Sequence, residues 1–322
     1  MNWTGLKAAL LAEGTARITG TPVDMTGGSH AGPGAGDQGS VFFSAGGKRV
    51  RLSVDVDSKV TIKHLGGGKA VLRFGEIVQE GIIEPPALHC PRQAFITISE
   101  GCIFRCRYCN VPFQKPRIKT PGEVVAMIGD VFDDIDCISI TSGVIGSPEE
   151  DEERVIEIVR EIKKFNLPIG ISTYPVEGTP GRLHELGVAE VKFNLEAATD
   201  RVFSEMCPGQ RRDIIISALK ESVALFGRNH VFTNIILGLG ETDEEMMACI
   251  RELCEAGIIP VIRPLNPKAE LKDYSRPTKE RILKTFDYQK EQLRANGLDP
   301  SQALTMCVAC TGCDLTPGRD EG

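Results

Sequence analysis

Apolar and polar residues alternate through "GKRVRLSVDVDSKVTIKHLGGGKAVLRF", residues 47–74, with turn glycines between the runs. A period of two predicts a half-buried antiparallel meander, one face on a core and the other in water. Ahead of it stand a helix-like N-terminal segment, the glycine-rich stretch "TGGSHAGPGAGDQGS" (residues 26–40) and a β-like run at "VFFS". Residues 1–90 therefore read as an N-terminal helix, a glycine-rich loop and a small β-rich unit. The pattern changes after residue 93. Six nearly continuous apolar runs, "AFITIS", "CISITS", "PIGIST", "EVKFNLE", "VFTNIIL" and "IIPVIRP", alternate with amphipathic segments near 120–132, 151–165, 179–186, 212–227 and 242–256. Another amphipathic segment follows near 277–296. Strands that are apolar on both faces, with helices between them, predict repeated βα units around a parallel sheet. The expected fold is α/β: a partial (β/α)6 TIM-like barrel over residues 91–296, with a small N-terminal β-rich extension and a C-terminal segment, 297–322. In such barrels the chemistry sits at the C-terminal ends of the strands.

Composition narrows the function without naming it. The 322 residues are 41% hydrophobic, enough for a large core, and 44 acidic against 37 basic residues give a net charge of −7. That balance argues against a nucleic-acid partner. The first twenty residues, interrupted by Glu13 and Arg17, lack a signal peptide's continuous apolar segment, and no run of about 18 apolar residues occurs. The expectation is a cytoplasmic protein without a membrane segment. The eleven cysteines then read as metal ligands, reactive groups or small core residues, not as disulfides.

Three of them, Cys102, Cys106 and Cys109, form a CxxxCxxC just past the first barrel strand. A structural zinc site wants four protein ligands. Three close thiols fit better a [4Fe-4S] cubane with one iron left open, against the alternatives of a zinc knuckle or three coincidental core thiols. With Tyr108 directly before the last cysteine, the loop resembles that of the radical S-adenosylmethionine (SAM) superfamily. The resemblance implies that S-adenosyl-L-methionine chelates the open iron through its amino and carboxylate groups. One electron from the cluster then cleaves it to a 5′-deoxyadenosyl radical. No side chain is expected to act in catalysis beyond those holding the cluster and SAM.

The same resemblance assigns SAM-holding positions to later strand ends. "TSG", Thr141, Ser142 and Gly143, resembles the segment that takes the amino group, although Val144 replaces the family's common glutamate. "NLE" puts Asn194 and Glu196 on one face of a strand and resembles the ribose-binding positions of lipoyl and biotin synthases. The alternative is an ion pair of Glu196 with Lys192. "GLGET" supplies Gly238 and Gly240 for close backbone approach to the adenosine, with Glu241 and Thr242 placed to cap the next helix. Arg263 could pair with a carboxylate, Glu196 included, or sit near a second cluster.

A second triad, Cys307, Cys310 and Cys313, has the CxxCxxC spacing of the first three ligands of a bacterial ferredoxin run. It reads as an auxiliary [4Fe-4S] cluster, against a zinc knuckle or a disordered tail, on a segment that could fold back over the barrel mouth. Its fourth ligand is open: Cys90, which starts at the bottom of the barrel, a non-cysteine group, or none. Cys137, Cys207, Cys249 and Cys254 read as small buried hydrophobes. His89 and the other histidines show no ligand spacing.

With this second triad the chain resembles the biotin synthase-like and lipoyl synthase-like branch of the superfamily. The triad follows the barrel instead of preceding it, as in the archaeal biotin-synthase-like proteins that work as a pair in place of a single lipoyl synthase. That resemblance implies hydrogen abstraction from an unactivated carbon and sulfur insertion from the auxiliary cluster into an octanoyl-type chain. The implied partners are an acyl-carrier or lipoyl-domain protein bearing the chain, a second radical SAM protein and a low-potential electron donor. A mutase, lyase or cofactor-maturation enzyme, like the methylornithine-forming and hydrogenase-maturation proteins, is the alternative, and a non-catalytic iron–sulfur electron carrier a further one. No substrate-binding residue stands out, though the glycine-rich loop could cover the barrel mouth.

Overall fold

The computed structural model describes residues 2–22 and 39–322. All but the end of the glycine-rich stretch, and with it the expectation of a mouth cover, lies outside the described residues.

Helix α1 (Trp3–Glu13) begins where the Asn2 side chain accepts from the Gly5 N–H and ends at Gly14, whose φ of 75° suits a residue without a Cβ. Strands β1 (Thr15–Gly20), β2 (Ser40–Ala45), β3 (Lys48–Val54), β4 (Thr61–Gly66), β5 (Lys69–Phe74) and β6 (Ile77–Glu84) close into a barrel in the order β1-β3-β2-β6-β5-β4. The meander expected here is present in part, since β4, β5 and β6 pair antiparallel in succession. Strand β1 departs from it by pairing parallel with both β3 and β4. Alternation reports one buried face and says nothing of a neighbour's direction; a closed barrel buries one face as well as a meander does. Val41, Phe43, Val50, Leu52, Ile62 and Leu72 fill that interior.

The second sheet has six parallel strands in the order β14-β13-β12-β11-β10-β7. They are β7 (Gln93–Thr97), β10 (Cys137–Thr141), β11 (Ile169–Ser172), β12 (Glu190–Lys192), β13 (Val231–Leu237) and β14 (Ile259–Pro264), each drawn from one of the six apolar runs. A short antiparallel ladder of β8 (Ser99–Glu100) with β9 (Arg117–Ile118) brackets the first cysteine loop. Helices α2 (Pro121–Asp130), α3 (Pro148–Ile162), α4 (Thr179–Glu185), α6 (Arg212–Phe226), α7 (Asp243–Glu255) and α8 (Lys279–Ala295) match the amphipathic segments. A seventh, α5 (Asp200–Met206), capped by Thr199, intervenes before α6 and has no counterpart in the periodicity reading. The fourth run is a shorter strand than expected: β12 stops at Lys192, and Glu196 sits at a φ of 62°, in the left-handed region.

The C-terminal segment corrects another expectation. It runs along the N-terminal ends of the strands, not over the mouth. Arg281, early in α8, donates to Glu241 just past β13, whereas Gln289 donates to the carbonyl of Pro260 near the start of β14. Helix α8 thus returns toward the strand starts, as the helix of a βα unit does, and delivers the C-terminal segment to the bottom of the barrel. There the carboxylate of Glu190, first residue of β12, accepts from the N–H groups of Leu304 and Thr305 at 2.9 and 2.8 Å. A Cβ on Gly170, in β11, would fall 2.1 Å from the Thr305 hydroxyl oxygen, so only glycine permits this crossing. Helix α9 (Met306–Cys310) comes next and carries Cys307 and Cys310 of the second triad, with Cys313 in the turn that follows. Among the described residues no helix is long and apolar enough to cross a membrane.

Candidate functional site

The first cysteine loop is pinned on three sides. The Ile103 N–H donates to the Val144 carbonyl at 2.8 Å, and the Arg107 N–H to that of Met206 at 2.9 Å. Gly143 donates to the Ser99 carbonyl, and a Cβ there would lie 2.2 Å from the Gly101 oxygen. The "TSG" glycine is thus required for contact with the cysteine loop itself. Beneath it the carboxylate of Asp151, 1% exposed, accepts from the hydroxyls of Ser99 and Ser142, both at 2.8 Å, and of Thr173 at 3.4 Å. One side chain gathers the ends of β7, β10 and β11. No sequence signal marked it, because an acidic residue in a first helical turn is common for capping reasons alone.

Within the loop, Gln210 donates to the Cys106 sulfur at 3.2 Å, and Cys207 lies beside Cys106, with the Tyr108 hydroxyl 3.8 Å from its sulfur. The Cys207 contact and burial hold the Cys106 thiol above its ordinary pKa; burial pushes Cys109 up to about 12 and raises Cys102. Such thiols ionise when a Lewis acid takes the proton's place. Among the described residues no three Cys, His, Asp or Glu side chains are placed to hold one metal ion. A structural zinc site asks for four ligands on one ion, whereas a cubane asks for one thiolate at each iron. Three soft thiols with no histidine or carboxylate among them fit that demand.

A cavity of about 390 Å³, within the range of small-molecule sites, runs through the barrel. Tyr108, Cys109, Thr141, Asn194 and Glu196 line it toward the C-terminal strand ends. Cys90, Cys307, Cys310 and Cys313 line it from the other side, with Arg51, Lys192 and Arg263 also on its wall. Cys102, Cys106, Ser142 and Gly143 are not among its lining residues. Gly238 and Gly240 lie outside it too: they form the turn after β13, with φ of 109° and 111°, and the Glu241 carboxylate accepts from the Gly238 N–H at 2.7 Å. Thr242 caps α7 as expected. Asn194 accepts from the Asn234 N–H at 3.3 Å. Burial lifts the Glu196 carboxyl to about 7, against the pull of Lys192 and Arg263.

The second triad is ringed by cations. The Lys192 ammonium is 3.3 Å from the Cys307 sulfur and also pulls on the Glu196 carboxyl, its partner in the alternative reading. The Arg51 guanidinium is 4.0 Å from the Cys313 sulfur, and its backbone N–H donates to the Gly312 carbonyl at 2.7 Å. Burial works against the charge of Arg263, but Cys313, Cys307, Asp314 and Glu196 outweigh it and hold its pKa above the ordinary arginine value. A hydrogen bond from the Cys90 thiol, with help from Arg49, brings Cys310 down to about 7. Sequence reasoning missed Arg49, Arg51 and the cavity position of His89, because all three lie more than 200 residues before the second triad in the chain.

Residues 96–253 match the sequence profile of the Radical SAM superfamily. The chain carries a radical SAM domain. Curated relatives include the lipoyl synthase of Dechloromonas aromatica (strain RCB), 22% identical over 260 residues, 71% of this chain and 81% of that one. The lipoyl synthase of Corynebacterium aurimucosum is 29% identical over 190 residues, 54% of this chain and 49% of that one, so the chain spans only about half its length. A probable dual-specificity RNA methyltransferase RlmN of Streptococcus suis is 27% identical over 221 residues, 61% of this chain and 59% of that one. Among solved structures, the FeFe-hydrogenase maturase HydG of Carboxydothermus hydrogenoformans superposes with a TM-score of 0.55 at 15% identity, over 71% of this chain and 60% of that one. Methylornithine synthase (PylB) gives 0.54 at 18%, over 67% and 74%. At these identities the structures speak for the fold, a partial TIM-like barrel. Within the radical SAM domain fall the first triad, "TSG", "NLE" and "GLGET"; the second triad lies beyond it.

Proposed function

We propose that this chain is a radical SAM enzyme that inserts sulfur into an unactivated carbon of an octanoyl-type chain carried on a protein, as in lipoyl cofactor formation. One observation carries the reading: a single cavity is lined by Tyr108, Cys109, Thr141, Asn194 and Glu196 on one side and by all three C-terminal cysteines on the other. With both groups bound, SAM on the first cluster would supply a 5′-deoxyadenosyl radical and the second cluster the sulfur.

The residues divide the work. Cys102, Cys106 and Cys109 hold the first cluster on a loop that Gly143, Val144 and Met206 fix in place. The backbone around Thr141 takes the amino group of SAM, Asn194 and Glu196 the ribose hydroxyls, and Tyr108 walls the site. Gly238 and Gly240 act at one remove, by setting the course of the chain after β13. Cys307, Cys310 and Cys313 hold the second cluster, whose negative charge Lys192, Arg51 and Arg263 balance. Apolar side chains such as Phe42, Phe95, Ile236 and Met306 leave room for an alkyl chain between the two sites. The substrate would arrive on an acyl-carrier or lipoyl-domain protein, with an electron donor and a second radical SAM protein as further partners.

The lipoyl synthase names among the relatives support the sulfur branch. Anaerobic reconstitution followed by reaction with SAM, dithionite and an octanoylated lysine peptide tests it. Two clusters per chain and a peptide that gains sulfur are expected. One cluster and an unchanged peptide would favour the mutase or maturation reading, and failure to form 5′-deoxyadenosine the electron-carrier reading.

A further inference from the structure

We propose that Cys90 is the fourth ligand of the second cluster, so that the C-terminal site is closed by four thiolates and leaves no iron open. This rests on the auxiliary-cluster reading above and adds to it the group that completes the site.

The geometry begins at the foot of the barrel. Cys90 pairs back on Gln93 in an isolated antiparallel bridge, through a turn in which Arg92 takes a φ of 60°. Gln93 then grips the start of the C-terminal triad: its side-chain oxygen accepts from the Met306 N–H at 3.0 Å, and its side-chain nitrogen donates to the Met306 carbonyl at 3.3 Å. The Ser139 hydroxyl accepts from the same N–H at 3.0 Å. These contacts fix the residue before Cys307 against the residues that come after Cys90. Across them Cys90, 1% exposed, lines the same cavity as Cys307, Cys310 and Cys313, so that all four sulfur-bearing residues border one space.

Two neighbours compete for the role. Arg51 stands beside Cys313, but a protonated guanidinium has no lone pair to give a metal. His89 also lines the cavity, with its ring 5.1 Å from that of Phe95, and a neutral imidazole can ligate iron. Cys90 is favoured over it because a fourth thiolate matches the other three in softness, and because Cys90 is bridged to Gln93, which binds the residue before Cys307. Charge agrees: a cubane held by four thiolates is a dianion, and a buried dianion needs compensation of the kind Arg49, Arg51, Lys192 and Arg263 provide. Ligation forms one iron–sulfur bond at Cys90, and the thiol proton leaves to solvent.

The test isolates the second cluster in a chain carrying Cys102→Ala, Cys106→Ala and Cys109→Ala, reconstituted anaerobically with iron and sulfide. About four irons per chain are expected. Adding Cys90→Ala should lower iron by about a quarter and bring up the EPR signal of an oxidised three-iron cluster. Cys90→Ser, which keeps an oxygen ligand, should instead retain the iron and split one Mössbauer site from the others, and this variant decides the matter if the alanine form fails to fold. Cys137→Ser, a buried thiol off the cavity, should leave both readouts unchanged. Iron content and spectra unaltered by either Cys90 substitution would overturn the ligand assignment while leaving the second cluster standing, as would iron loss on His89→Ala in place of Cys90→Ala. A folded three-alanine chain that binds no cluster would overturn the auxiliary-cluster reading and this inference with it.

Discussion

The two cysteine triads hold the same number of thiols in opposite surroundings. Around Cys109, burial and the negative groups Cys106, Cys102 and Glu196 all raise the thiol's pKa. Around Cys310, a thiol donor and Arg49 lower it to about 7, and Lys192, Arg51 and Arg263 stand close to its triad partners. A site that brings few cations of its own suits a cluster whose last ligand is a cationic cofactor. A site ringed by fixed cations suits a cluster that the protein itself must neutralise. Position differs in the same sense: the first triad rides the loop after the first barrel strand, whereas the second is held under the strands by Gln93, Ser139 and Glu190.

The largest effect that separates the two belongs to the first triad. Changing Cys102, Cys106 or Cys109 to Ala should reduce 5′-deoxyadenosine formation from SAM and dithionite to background; normal cleavage in such a variant would remove the SAM-cleaving cluster from this loop. Replacing Cys307, Cys310 and Cys313 together with Ala should leave cleavage within about a factor of three while iron per chain falls by about half, if each triad holds one cubane. Unchanged Mössbauer spectra there would erase the contrast.

Smaller effects probe the electrostatics. Lys192→Met should make the second cluster harder to reduce by some tens of millivolts, the scale of one screened charge, and leave the first untouched; equal shifts at both clusters, read by redox titration with EPR, would mean the cations do not discriminate. Glu196 provides a pH test. Its carboxyl titrates near about 7 against an ordinary 4.5, so ionisation weakens the folded state as pH rises through that interval. The ionised form is also the better acceptor for ribose hydroxyls beside a cationic sulfonium. SAM affinity should therefore climb severalfold as pH passes through about 7, and Glu196→Gln should flatten both that rise and the stability slope. A binding profile that is flat in the parent protein would take Glu196 out of the SAM site.

Much of the barrel was legible in the sequence, because parallel strands buried on both faces read as continuous apolar runs, and each is followed by a helix of another period. Cys102, Cys106 and Cys109 stood out as candidates for a local reason as well, since all three sit on one loop. The features that escaped were set by closure over long stretches of chain. The parallel pairing of β1 with β4 leaves no trace in either strand's alternation. Cys90 was one of three options for the fourth ligand, but nothing near it marks the cavity it shares with Cys310, 220 residues on, because that sharing depends on the path of α8 to the foot of the barrel. Asp151 and the left-handed turn at Glu196 were hidden too: the first looks like a helix-start acid, and the second is a backbone state that no glycine announces.

The most direct test tracks sulfur. The protein is reconstituted with isotopically heavy sulfide, reacted with SAM, reductant and an octanoylated lysine peptide, and the peptide is weighed by mass spectrometry. If the second cluster is the sulfur donor, heavy sulfur enters the product of the parent protein and none enters that of the chain lacking Cys307, Cys310 and Cys313. Abundant 5′-deoxyadenosine beside a peptide that never acquires heavy sulfur would contradict it.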